Sequence, residues 1–185
     1  VEDTLRAGAT FVQLREKQLD DAAFLAEARR IKAVTDRYGV PFVINDNVRV
    51  ALACGADGAH VGQSDLAAGE ARKKLGPDKI LGVSAQTVEQ ALAAERAGAD
   101  YLGVGAVFST STKLDACEVP LETLRAICAA VRIPVVAIGG IGAQNVAALA
   151  GTGIAGIAVV SALFAARDTR RAAEELSALA RKVNA

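Results

Sequence analysis

The sequence predicts an α/β chain folded as a (β/α)8 TIM barrel, on three observations. Short apolar runs alternate with amphipathic helical stretches along all 185 residues, as parallel strands joined by crossover helices require. A motif recurs as A-G-A-T-F-V at 7–12, C-G-A-D-G-A at 54–59 and A-G-A-D-Y-L at 97–102, with G-T-G-I-A-G-I at 151–157 as a weaker copy. Its glycines, Gly8, Gly55, Gly98 and Gly153, stand 47, 43 and 55 residues apart, two strand–helix units per repeat.

The elements follow in order. A charged helical piece covers 1–8. Strands are expected over 11–16, 42–46, 58–63, 80–85, 101–108, 135–141 and 156–162. The clearest helices are 20–38, 88–97, 121–132 and 169–183, with Asp20 and Thr87 as N-caps. In the repeat, each glycine is expected to end a helix in the left-handed conformation before the next strand. The intervening units, V-P-F-V-I at 40–44 and I-P-V-V-A at 133–137, use Pro to stop the helix. No linker interrupts the pattern, so 1–185 is expected to be a single TIM-barrel domain, large enough to bury about 70% of its unfolded surface. Seven strands are one short of eight. Because Met is absent and the chain opens at Val1, an N-terminal strand is expected to be missing from this sequence.

Composition narrows the function. Lys+Arg and Asp+Glu are 21 each, so the net charge is zero and nucleic acid is excluded as an electrostatic partner. No apolar run approaches the roughly 18 residues of a membrane span. Cys54, Cys117 and Cys128 form no C-x-x-C and read as reduced core thiols of a cytoplasmic protein. The partners are small molecules, and a homo-oligomer is allowed.

In such barrels chemistry sits at the C-terminal strand ends. The first visible strand ends Gln13-Leu14-Arg15-Glu16-Lys17. Alternation puts Gln13, Arg15 and Lys17 on one face, an amide and two cations suited to a diphosphate. The next ends Asn45-Asp46 and the third His60-Val61-Gly62-Gln63-Ser64-Asp65. Asp46 and Asp65 are hard oxygen donors from adjacent strand ends, which favours Mg²⁺ over Zn²⁺. The local alternative for Asp65 is a helix N-cap. His60, the single histidine, reads as a packed core residue with satisfied nitrogens rather than a general base. Ser84 is a candidate hydrogen-bond donor. After Phe108, Ser109-Thr110-Ser111-Thr112-Lys113 combines hydroxyls with a lysine as an anion clamp. Gly139-Gly140 lets backbone N–H groups approach an anion, and Ser161 is placed to cap the short helix behind it. Two anion sites result: a Mg²⁺-assisted diphosphate site and a backbone monophosphate cradle.

Seven ordered motifs over nearly the whole chain, Q-L-R-E-K at 13–17, I-N-D at 44–46, H-V-G-Q-S-D at 60–65, G-V-S-A at 82–85, G-V-G-A-V-F-S-T-S-T-K at 103–113, A-I-G-G-I at 137–141 and V-S-A at 160–162, resemble thiamine-phosphate synthase. The resemblance implies a (β/α)8 barrel joining 4-amino-2-methyl-5-(diphosphooxymethyl)pyrimidine to a thiazole phosphate, giving thiamine phosphate and pyrophosphate. It implies that Gln13, Leu14, Arg15, Glu16 and Lys17, with Asn45, Ser84 and Lys113, meet the pyrimidine diphosphate. Thr110, Ser111 and Thr112 would meet the thiazole partner. Gly140, Val160 and Ser161 would bind its phosphate, and Asp46 and Asp65 would hold Mg²⁺. The implied chemistry is dissociative, with Arg15, Lys17, Ser84 and Lys113 as the catalytic set. Two departures stand out: Ser109 replaces the family's usual Pro, and 116–120 lacks the usual Gly. The main alternative is a thiazole tautomerase of the same fold, which needs an acid–base group near the thiazole; no His follows residue 60. A degenerate phosphate-binding barrel is the non-enzymatic alternative.

Overall fold

In a computed structural model, which describes residues 1–63, 67–110 and 118–183, strands and helices alternate as expected. Helix α1 (Glu2–Arg6) precedes β1 (Val12–Leu14), α2 (Asp21–Tyr38), β2 (Phe42–Asn45), α3 (Val48–Ala53) and β3 (Gly58–Val61). Then come α4 (Ala68–Leu75), β4 (Ile80–Ala85), α5 (Val88–Arg96), β5 (Tyr101–Val104) and α6 (Leu121–Ala130). The chain continues with β6 (Val135–Ile138), a 3₁₀ turn (Val146–Leu149), β7 (Gly156–Ala158), α7 (Ser161–Phe164) and α8 (Thr169–Val183).

All seven strands are parallel, and each pairs with the next in sequence. Seven strands were expected, and seven are found among the described residues. Phe42, Val43 and Ile44 of β2 are fully buried, and β3 is buried throughout, because helices cover one face while the strands enclose the other. The edge strands differ: β1 and β7 are only partly buried.

The repeated motif has a structural cause. Gly8, Gly55, Gly98 and Gly153 all have positive φ, between 71° and 98°, the conformation that turns a helix end into a strand. The Asp two residues later locks strands together at their N-terminal ends. Asp57 N donates to Phe42 O at 2.8 Å, and Phe42 N donates back to the Asp57 carboxylate at 2.8 Å. Asp100 repeats this with Leu81, at 2.8 and 2.7 Å. The Arg72 guanidinium joins the second clasp, donating to Gly76 O, Lys79 O, Gly98 O and the Asp100 carboxylate. In the intervening units the carbonyls of Pro41 and Pro134 accept from Val12 N and Leu102 N. Asp20 and Thr87 cap α2 and α5, accepting from Ala23 N and Gln90 N.

Two expectations are corrected. Most strands end before their expected limits; β5 stops at Val104 rather than 108. Beyond it Val107 N and Phe108 N still donate to Ile138 O and Gly139 O, but the ladder has become irregular. Ser161 does not cap α7: it is the first helical residue, Val160 is the N-cap, and no side chain caps it. The N-cap of α4 is Ala67; Asp65 lies outside the described residues. Cys54 and Cys128 are free and half-buried, and burial pushes both thiols up from their ordinary range; Cys117 lies outside the described residues.

Asp100→Ala removes the acceptor for Leu81 N and Arg72 together. It is expected to cost about 1–3 kcal/mol, the price of stranding such donors, and to lower Tm by about 2–4 °C per kcal/mol for a chain of this size. Thermal unfolding followed by circular dichroism measures it, and an unchanged Tm contradicts the clasp.

Candidate active site

Two cavities open where the strands end. The first, about 1020 Å³, is lined by Glu16, Lys17, Asn45, Asp46 and Asn47 after β1 and β2, and by α2, α3 and α4 residues that include Phe24, Arg49, Leu52 and Lys74. Its acid comes from a tight turn after β2. Asp46 has φ 65°, a left-handed conformation that Asp tolerates better than most residues. Asp46 N donates to His60 O at 2.7 Å, which anchors that turn to β3. The Asp46 carboxylate is paired with the Lys17 ammonium. Asn47 caps α3, accepting from Val50 N at 3.0 Å, and donates to Asp21 at 2.9 Å. The Glu16 carboxylate turns onto its own loop and accepts from Lys17 N and Gln18 N, both at 2.6 Å. These bonds hold its carboxyl below the usual range and fix the loop that carries Lys17.

The second cavity, about 400 Å³, is lined by Ser109, Thr110, Gly140, Gly142, Ser161 and Glu175 among others. Its shape depends on two glycines. Gly139 and Gly140 have φ 99° and 65°, and a Cβ at either would overlap the loop opposite, at Ala106 or at the Ser109 carbonyl. That close approach brings Thr110 and Gly140 to one cavity. Asn145 braces the turn, donating to Gly140 O and accepting from Gly142 N, both at 2.8 Å.

Between the cavities a polar chain runs across four strands, with His60 buried, Tyr101 and Ser84 half-buried and Gln13 exposed. His60 (β3), Gly82 (β4) and Tyr101 (β5) stand in one row of the sheet register. Since Gly82 has no side chain, the imidazole and the phenol meet above it: His60 Nδ1 is 2.9 Å from Tyr101 Oη. Two residues further along, Ser84 is level with Gly103, and His60 Nε2 is 2.9 Å from Ser84 Oγ. Gln13 of β1 hydrogen-bonds the phenol, and Phe11 meets the same ring edge-on at 5.5 Å between centroids. Burial pushes the Tyr101 phenol far above its ordinary pKa, against the opposing effect of Gln13, so it keeps its proton.

Comparison with known proteins decides the family. The family model described as thiamine monophosphate synthase matches residues 1–163. A thiamine-phosphate synthase of Ruminiclostridium cellulolyticum is 56% identical over 176 residues, covering 95% of this chain and 84% of the relative. One of Clostridium tetani is 52% identical over 177 residues, covering 96% and 85%. The solved thiamine phosphate pyrophosphorylase of Pyrococcus furiosus superposes with a TM-score of 0.92 at 41% identity, over all of this chain and 89% of that one. The chain belongs to the thiamine monophosphate synthase family. Membership makes it an enzyme, a transferase of thiamine biosynthesis, as the sequence resemblance implied. These relatives give the tautomerase alternative no support.

With the family in hand, the sequence-predicted residues sort by place. Lys17, Asn45 and Asp46 share the first cavity. Thr110, Gly140 and Ser161 share the second, with Val160 exposed beside it. Gln13 and Ser84 belong to the chain between. Arg15 is exposed just past β1, on the face of Gln13 and Lys17, because the alternation of exposure continues beyond the strand. Leu14 is half-buried against the core on the opposite face. Asp65, Ser111, Thr112 and Lys113 lie outside the described residues. His60 is the buried, doubly bonded residue that was expected. Sequence reasoning missed Tyr101, read only as the start of a strand. Gly82 and Gly103, spaced to fall level with large polar neighbours, were the available signal.

Gly140→Ala combines a left-handed φ with overlap of the Ser109 carbonyl. It is expected to cost about 1–3 kcal/mol in urea unfolding. Gly39→Ala has a similar φ, 62°, in open space and is expected to cost only the conformational part, about 1–2 kcal/mol. A Gly140→Ala loss no larger than that of Gly39→Ala contradicts the loop contact.

Proposed function

We propose that the chain joins 4-amino-2-methyl-5-(diphosphooxymethyl)pyrimidine to a thiazole phosphate, releasing pyrophosphate. The observation that carries this reading is the pair of separate cavities at one end of the sheet, each with polar groups in its lining. One holds a lysine and an aspartate, the other a Gly-Gly turn with hydroxyls. A diphosphate substrate fits the first and a monophosphate substrate the second.

In the reaction the methylene C–O bond breaks with its electron pair going to the diphosphate oxygen. The thiazole nitrogen then donates its lone pair to the pyrimidine methylene, forming the C–N bond. Negative charge grows on the leaving diphosphate, so the protein's task is electrostatic. Lys17, Arg15 and Lys113 supply cations there, and Ser84 supplies a hydroxyl donor. Gln13, Leu14, Glu16 and Asn45 shape the pyrimidine side. Thr110, Ser111 and Thr112 meet the thiazole partner, and Gly140, Val160 and Ser161 hold its phosphate. No nucleophilic side chain is required.

The donor set fits Mg²⁺. Asp46 presents a carboxylate, with the Asn45 amide beside it, and no sulfur or imidazole donor lines that cavity. Among the described residues no group of three His, Cys, Asp or Glu forms a ready-made cage, and Mg²⁺ typically takes only one or two carboxylates plus substrate phosphates. Asp46 and Asp65 would hold it, and when bound it would neutralise charge on the diphosphate.

The finer architecture belongs to the same proposal. An eighth strand between β1 and β7 would complete the barrel, covering Phe11 beside one edge and Val160 and Phe164 beyond the other, all exposed now. Among the described residues no helix is long and apolar enough to cross a membrane; with free, half-buried thiols at Cys54 and Cys128, a cytoplasmic location is the natural setting.

Pyrophosphate release is expected to require both substrates and Mg²⁺ and to stop in EDTA; release without the thiazole phosphate, or unaffected by EDTA, overturns the reading. Asp46→Asn keeps a residue that tolerates the turn but removes the charge. It is expected to raise the Mg²⁺ concentration needed for half-maximal rate about 10–100-fold, and an unchanged Mg²⁺ dependence removes Asp46 from the metal site. Ser161→Ala is expected to raise KM for the thiazole phosphate several-fold while leaving KM for the pyrimidine diphosphate unchanged.

A further inference from the structure

We propose that His60 and Tyr101 are positioning residues that aim the hydroxyl proton of Ser84 at the diphosphate. The inference rests on the reading of Ser84 as a diphosphate contact.

Hydrogen-bond polarity would run through the chain from Gln13 to Ser84. Gln13 hydrogen-bonds the phenol, and in the proposed relay its amide N–H donates to the phenol oxygen. The phenol, buried and protonated, then spends its own O–H on its other neighbour, His60 Nδ1, at 2.9 Å. An Nδ1 that accepts leaves a neutral imidazole with its proton on Nε2. That Nε2–H points at Ser84 Oγ, 2.9 Å away, and fills an acceptor position of the hydroxyl. Ser84 cannot direct its O–H back to the ring and is left to donate it to the proposed diphosphate. Each link lies on a different strand: β1, β5, β3 and β4. Gly82 and Gly103 keep the path clear: a Cβ at 82 would overlap both rings, and one at 103 would sit 3.0 Å from His60 Cε1. The ring is 6% exposed, so water does not compete for its nitrogens.

Ring orientation alone would satisfy a structural role. The relay requires more: one tautomer, and coupling to Ser84. Because His60 is the only histidine, ¹⁵N-histidine labelling of the intact chain gives a single imidazole in a long-range ¹H–¹⁵N spectrum. The expected spectrum at pH 8 shows a protonated Nε2 and a bare, accepting Nδ1, with Tyr101→Phe mixing the two tautomers. A ring protonated on Nδ1, or on both nitrogens, overturns the proposal.

Kinetics supply the second arm. Tyr101→Phe is expected to lower kcat about tenfold, with KM for the thiazole phosphate unchanged. In a Ser84→Ala background the same change is expected to alter kcat less than twofold, because the group it acts through is gone. Equal effects in both backgrounds overturn the proposal. His60→Gln, which keeps an N–H donor near Ser84, is expected to retain more activity than His60→Phe, and the reverse order contradicts the relay. If the unaltered chain makes no product, the substrate reading fails, and the tautomer still decides the hydrogen-bond polarity on its own.

Discussion

A histidine, a tyrosine and a serine meet inside the sheet only where two neighbouring positions carry no side chain. Gly82 lies in register between His60 and Tyr101, and Gly103 lies level with Ser84. A methyl group at 82 would collide with both rings. The interior could have been filled with aliphatic side chains, as it is on β2 by Val43, which lies on the same face as His60. Instead it contains polar groups that satisfy one another: among the described residues no buried side-chain nitrogen or oxygen is without a partner. Such a network adds rigidity only when complete. The loops carrying Lys17, Asp46 and Thr110 are therefore built on a sheet whose centre is cross-linked beneath them.

The two ends of the sheet divide the work. At the N-terminal ends, Asp57 and Asp100 each exchange two hydrogen bonds with a residue of an adjoining strand, and Arg72 draws a helix end into the second clasp. Those carboxylates are used up in holding strands. At the C-terminal ends the polar side chains face cavities. Asp46 answers Lys17, an exposed partner that a diphosphate or a cation can displace. Glycines serve both ends differently. At the first they terminate helices; at the second, Gly139 and Gly140 let one loop lie against another.

Much of this was legible in the residues. All seven strands and the four long helices followed from apolar periodicity and caps, because those signals are local. The glycines of the repeat were correctly read as left-handed. Strand ends were not legible, since β5 leaves the ladder where it meets Ile138 and Gly139 on another strand, and sequence does not show that meeting. Ser161 failed as a cap for a similar reason: whether a serine stands before or inside a helix turns on one residue of backbone geometry. The cavity groups, Lys17 with Asp46 and Thr110 with Gly140, came from reading strand ends as a ring. Tyr101 escaped because its role depends on register: three strands lie between it and Gln13 on the sheet path, and the two are adjacent only once the sheet curls.

The proposed reaction needs two anion sites at one end of one sheet. The most direct measurement is a crystal structure of the chain with Mg²⁺, pyrophosphate and thiamine phosphate. The account predicts pyrophosphate against Lys17, Arg15 and Ser84, with the metal on Asp46, and the thiamine phosphate's phosphoryl group against Gly140 and Ser161. Both phosphates in a single cavity, or a metal bound away from Asp46, would contradict it.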